Sequence, residues 1–169
     1  MSASPERGRK DVQRFFHINI NCTDFDRSVA FYEAVGFEIV LDFDNQPGPR
    51  RSFGEIGLGP ILRLPESADA RACLMALRTD DLSAMRLDLL EWKSPIEPAE
   101  RRRNLAQPGV ARICLKTFDA DAVHDRLAAL GYEPYTRPTQ ILMGPSNIRV
   151  FCCEDPDGVV IEFMEFLRD

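Results

Sequence analysis

At 169 residues the chain is long enough to bury a complete hydrophobic core, and 44% hydrophobic with 28% charged residues fits a globular domain. A net charge of -6 argues against nucleic-acid binding, which needs a basic field to meet phosphate. No apolar run approaches the length of a membrane span.

The chain opens on a polar stretch that includes Pro5, Arg7, Arg9 and Lys10, without the apolar centre of a secretory signal. Residues 1–13 are therefore expected to be a flexible tail, and the cytoplasm is the expected location. Residues 15–21 then alternate, with Phe16, Ile18 and Ile20 on one face and His17, Asn19 and Asn21 on the other, as in a half-buried strand. Asp24 stands at a helix N-cap position; Phe25, Val29, Tyr32 and Val35 follow at helical spacing, and Gly36 supplies the left-handed stop. Strands are predicted over 37–43, 70–78 and 85–92, the last two joined by a turn at Thr79-Asp80-Asp81.

From residue 111 the pattern starts again. His17, Asp24, Gly36 and Phe37 are matched 95 positions later by Arg112, Asp119, Gly131 and Tyr132. Such self-similarity identifies an architecture before any single residue does. Residues 111–116 alternate, Asp119 is the second N-cap, and Ala120, Val123, Leu127 and Leu130 form the apolar stripe of a second helix ending at Gly131. Further strands are predicted over 132–137, 147–154 and 159–166, the last two joined by Asp155-Pro156-Asp157-Gly158, a Pro- and Gly-containing turn. Each copy thus reads strand, helix, strand, strand, strand. Two such modules, 14–95 and 109–167, joined by linker 96–108, imply one α+β domain over 14–169. Arg101-Arg102-Arg103 lies in that linker beside acidic residues and reads as a solvated connector.

The copies differ mainly in length, the first carrying about 24 extra residues, most of them in 44–69. A long loop with apolar content is expected to pack over a cavity mouth, with Phe43, Phe53 and Leu58 as the covering side chains. Trp92 reads as a packing residue. The five cysteines, Cys22, Cys73, Cys114, Cys152 and Cys153, form no CxxC pair and read as buried, reduced thiols.

Two carboxylates stand out. Alternation places Glu91 on the face of Leu87 and Leu89, and Glu162 on the face of Val160 and Met164. A carboxylate on an apolar strand face is costly unless it meets a cation or a network of donors. With His17, the two glutamates suggest a shared site.

The duplicated modules, the His17 strand, the helix between Asp24 and Gly36 with its Phe31-Tyr32, the Leu89-Leu90-Glu91-Trp92 strand and the ending from Asp155 to Glu162 resemble the vicinal oxygen chelate superfamily of glyoxalase, bleomycin-resistance and extradiol dioxygenase proteins. The resemblance covers about residues 14–167. It implies tandem βαβββ modules curled into an incomplete mixed β-barrel around a central cavity. It also implies metal ligands from the first and last strands of both modules, here His17, Glu91, Arg112 and Glu162.

Arg112 departs from that pattern. Guanidinium is permanently charged and has no lone pair to offer a metal. The remaining histidine, His124, lies on the second helix and reads as a surface or packing residue. Two outcomes follow. In one, His17, Glu91 and Glu162 hold one divalent ion, and the resemblance implies a lyase or isomerase acting on a small carbonyl substrate. Glu162 or Glu91 would then be the catalytic base, and Arg112 and Asn19 would contact substrate. In the other, Arg112 is itself the cation of the cavity, no metal binds, and the protein sequesters an apolar or carboxylated small molecule. The triad of metal-ligand types tips the sequence toward the enzyme. Dioxygenase chemistry is disfavoured, because its iron site uses two histidines and a carboxylate. No nucleotide cofactor, nucleic acid or membrane partner is expected. A homodimer is plausible, since modules of this superfamily pair within one chain or across two.

Overall fold

The computed structural model describes residues 14–81, 83–97, 105–106 and 108–167. The tail at 1–13, Arg101-Arg102-Arg103 and most of the linker lie outside the described residues. The elements in chain order are β1 (His17–Asn21), α1 (Phe25–Val35), β2 (Glu38–Asp42), α2 (Leu58–Ile61), β3 (Asp69–Ala76), β4 (Arg86–Ser94), β5 (Ile113–Thr117), α3 (Ala120–Ala129), β6 (Thr139–Met143), β7 (Ser146–Glu154) and β8 (Val160–Phe166). They form two four-stranded mixed sheets, ordered β1-β4-β3-β2 and β5-β8-β7-β6. This is the expected α+β duplication, and the sheets are not closed into a barrel.

Local chemistry explains the two long helices. The Asp24 side chain accepts from the Arg27 N–H and that of Asp119 from the Ala122 N–H, so each cap satisfies a donor left free in the first turn. Gly36 ends α1 at φ 117°, a backbone shape that a side chain would strain. Phe25, Phe31, Tyr32 and Val35 of α1 are buried, as are Ala120, Val123, His124 and Leu127 of α3. Leu130, expected in the α3 stripe, is instead 60% exposed at the helix end.

One core draws on both modules. Ile20, Leu87, Leu89, Cys73 and Met75 from the first sheet pack with Leu115, Phe151, Ile161 and Phe163 from the second. Phe31 stands at the junction, fully buried and edge-on to Tyr132 with ring centroids 4.9 Å apart. Burying such a ring contributes roughly 1.5–3 kcal/mol. The junction also carries a polar clasp. Tyr32 Oη donates to Asp155 Oδ2 at 2.8 Å, and Arg126 Nε donates to the Ala34 carbonyl at 2.7 Å.

Other expectations also need correction. Residues 132–137 are not a strand; the pairing segment is β6, seven residues further on at its start, and within 132–137 only Pro134 forms an isolated bridge, to Cys153. Pro134 and Pro138 lack the N–H that a ladder there would use. The cysteines are also not uniformly buried. Cys114 is exposed and Cys152 half-buried, because both lie on the sheet face that the helices leave uncovered.

The insertion folds back tightly. The Gly54 N–H donates to the Ala68 carbonyl at 2.8 Å, and a Cβ on Gly54 would lie 1.6 Å from the Glu66 carbonyl oxygen, so only glycine fits. Phe53 rests against Trp92 over Ala70, Ala72 and Leu90. Phe43 is 41% exposed and Leu58 half-buried, so of the three expected covering residues only Phe53 joins this cluster.

Candidate functional site

β1 pairs with β4 in parallel, Ile18 opposite Leu87 and Asn19 opposite Asp88. β5 pairs with β8 in parallel, Ile113 opposite Ile161 and Cys114 opposite Glu162. The registers are equivalent, so the residue of the first module that matches Glu162 is Asp88. Glu91 lies three positions further along β4 and therefore points to the other face of the sheet. That face carries Leu87 and Leu89, the helix-covered core, and there Glu91 Oε1 meets Lys93 Nζ at 2.7 Å. The structure does not bring Glu91 together with His17 or Glu162. Measured to Asp88, the excess of the first copy falls from 24 residues to 21.

On the face away from the helices, the polar side chains of β1 are held by β4. Asp88 Oδ2 accepts from Asn19 Nδ2 at 2.8 Å and lies 3.8 Å from His17 Nε2. Trp92 Nε1 donates to Asn21 Oδ1 at 3.0 Å. His17 Nδ1 and Asp88 Oδ1 are both buried without a partner. Burial pushes the Asp88 carboxyl above the usual carboxylate range, against the opposing pull of His17 and Asn19.

The second sheet repeats this arrangement with different chemistry. Arg112 Nε lies 3.0 Å from Glu162 Oε1. Cys114 and Cys152 flank Glu162 on the neighbouring strands, opposite it in register. The hydrogen bond to Glu162 raises the Arg112 pKa further. Burial, followed by the hydrogen bond to Glu162, pushes the Cys114 thiol up to about 11. His124 sits on α3 in contact with the Phe151 ring at 5.5 Å, away from these residues.

Between β1 and β5 runs a cleft of about 460 Å³, lined by residues 18–21, residues 110–113, Glu154 and residues 157–160. Its end is built by the turn after β7. Asp157 accepts from the Thr23 N–H at 3.1 Å and from Thr23 Oγ1 at 2.5 Å, while Asp155 accepts from the N–H groups of Asp157 and Val159.

The donor set does not fit a bound divalent ion. Among the described residues no three His, Cys, Asp or Glu side chains converge on one point. Glu162 is turned to a guanidinium, Glu91 to an ammonium, and His17 with Asp88 supplies only two donors. The sequence signal for Asp88 is its likeness to Glu162: Leu87-Asp88-Leu89 and Ile161-Glu162-Phe163 each set one acid between two apolar residues.

Residues 14–163 match the Glyoxalase/Bleomycin resistance protein/Dioxygenase superfamily. The chain belongs to that superfamily. Solved structures carry the same fold. A glyoxalase family protein from Bacillus cereus is 21% identical with a TM-score of 0.73, covering 98% of this chain and 100% of its own. An antibiotic binding protein from Streptomyces is 22% identical with a TM-score of 0.56, covering 93% and 98%. A glyoxalase I mutant from Zea mays is 13% identical with a TM-score of 0.58, covering 89% of this chain and 44% of its own. No curated protein sequence matches. At these identities the solved structures speak for the fold, and within the superfamily function must be argued from the site.

Proposed function

We propose that this superfamily member is a metal-free small-molecule binding protein in which Arg112 is the cation of the cavity. The observation that carries the reading is the 3.0 Å contact between Arg112 Nε and Glu162 Oε1, which commits one carboxylate of the supposed ligand set to a guanidinium. The separation of Glu91 from His17 supports it, as does the existence of an antibiotic binding protein with this fold. Arg112 remains 45% exposed beside the cleft, so a polar or carboxylated ligand can reach it. The lyase or isomerase reading retains one observation, the two unpartnered atoms His17 Nδ1 and Asp88 Oδ1. A homodimer is proposed on the exposed apolar residues Ile141, Leu142 and Met143 of edge strand β6.

Elemental analysis of the purified protein tests the reading. The unaltered protein is expected to carry no stoichiometric metal, whereas Arg112→His, which frees Glu162 and adds an imidazole, should take up a divalent ion such as Zn²⁺. Stoichiometric metal in the unaltered protein would overturn the proposal.

A further inference from the structure

The lining of the cleft is unusual for a sheet. A strand that offers a face contributes every second residue, yet here four consecutive residues of β1, Ile18 to Asn21, line the cleft together with residues 110–113. Within a strand, an edge does this. β1 is bonded to β4 alone and β5 to β8 alone, so β1 turns an unpaired edge into the cleft, opposite the segment 110–112 that leads into the unpaired edge of β5 at Ile113.

The ladder shows which backbone groups point into that space. The Phe16 carbonyl accepts from the Arg86 N–H at 3.1 Å, and the Cys22 N–H donates to the Leu90 carbonyl at 2.7 Å. In a parallel ladder, alternate residues bond to the same neighbour. Ile18 and Ile20 therefore also face β4, and Asn19 and Asn21 direct their N–H and C=O groups into the cleft. Since Ile113 faces Ile161 as Ile18 faces Leu87, the lining residue before it, Arg112, does the same from the other side. The edges run in opposite directions, because Thr23 just beyond β1 contacts Asp157, and residues 110–112 precede the Ile113–Ile161 pair.

We propose that this cleft binds a short extended peptide with a free C-terminal carboxylate, added as a strand between the two sheets. Outward-facing groups on each edge recur every two residues, or about 6.6 Å, which is the repeat of an extended peptide. Arg112 selects the carboxylate. Its Nε is engaged by Glu162, but guanidinium carries five N–H donors and this one is half exposed. The acidic residues of the lining are otherwise engaged, Glu154 by Tyr135 Oη and Asp157 by Thr23. A volume of about 460 Å³ limits the occupant to a few residues. This deepens the ligand-binding reading above and rests on it.

The test uses tetra-alanine with free termini, its C-terminal amide, and a form N-methylated at the two central amides, each titrated calorimetrically and followed by NMR amide exchange. The free acid is expected to bind and to slow exchange at the amides of Asn19, Asn21 and Arg112, leaving Ile18 and Ile20 as they were. Amidation, or Arg112→Gln, should weaken binding by about tenfold, with no further loss when the two are combined. N-methylation should abolish binding. Equal binding of the N-methylated peptide, unchanged exchange at the three amides, or no binding of the free acid at millimolar concentration would each overturn the proposal. Failure of the metal-free reading registers differently, as stoichiometric metal in the purified protein with the exchange pattern intact.

Discussion

Replacing Tyr32 with phenylalanine probes the polar clasp between the two modules. Tyr32 is fully buried, and its hydroxyl donates at 2.8 Å to Asp155, 123 residues away in the other module. Phenylalanine keeps the ring and its packing, so no cavity forms and the change isolates one hydrogen bond to a carboxylate. Such bonds contribute about 1.5–3 kcal/mol, and since Asp155 retains two backbone donors the lower part of that range, about 1.5–2 kcal/mol, is expected. For a chain of this size the corresponding fall in Tm is about 3–8 °C, measurable by circular dichroism alongside a urea midpoint. The loss should depend on pH in a defined direction. Burial raises the Asp155 pKa above its ordinary value, while the Tyr32 bond pulls it down by favouring the ionised form. The bond therefore stabilises the fold fully at neutral pH, and its contribution fades as pH falls through the folded Asp155 pKa and the carboxyl protonates. An unchanged Tm for Tyr32→Phe at pH 7, or a deficit that persists undiminished in acid, would refute the reasoning.

Asp88→Asn tests the orphaned pair on the other sheet. Because burial raises the folded Asp88 pKa, its protonated form favours the fold, and that stability is lost as pH rises through the folded value. Asparagine mimics the protonated state, so the variant should equal or exceed the parent by up to about 1 kcal/mol at pH 7, with the gain fading in acid; destabilisation at pH 7 in urea denaturation would show the His17–Asp88 contact to be a productive ion pair. Cys114, though exposed, should alkylate about ten times more slowly than a free cysteine at pH 7, because its smaller thiolate fraction outweighs the higher nucleophilicity of a more basic thiolate. Iodoacetamide kinetics read by mass spectrometry check this, and a rate equal to that of free cysteine would contradict the burial argument.

Much of the fold is local and is legible in the sequence. Asp24, Asp119 and Gly36 mark helix ends through hydrogen bonds and dihedral angles that span a few residues, and the structure shows them in those roles. No strand forms over 132–137 because Pro134 and Pro138 lack N–H groups that a ladder would use, and the pairing with β7 passes to β6. The site was harder still. β4 is apolar on both faces, with Leu87 and Leu89 on one side and Leu90 and Trp92 on the other, so periodicity assigns Glu91 and Asp88 to opposite faces without saying which one the helices cover.

The sequence by itself determined the duplication, the sites of the helix caps and the substitution of Arg112 at the position matching His17, because each follows from short-range spacing. Only the tertiary structure decided that Asp88 is the counterpart of Glu162, that Arg112 holds Glu162, and that β1 leaves an edge open to the cleft. Those facts depend on inter-strand register and on which sheet face the helices bury, and both are settled by contacts between residues far apart in the chain.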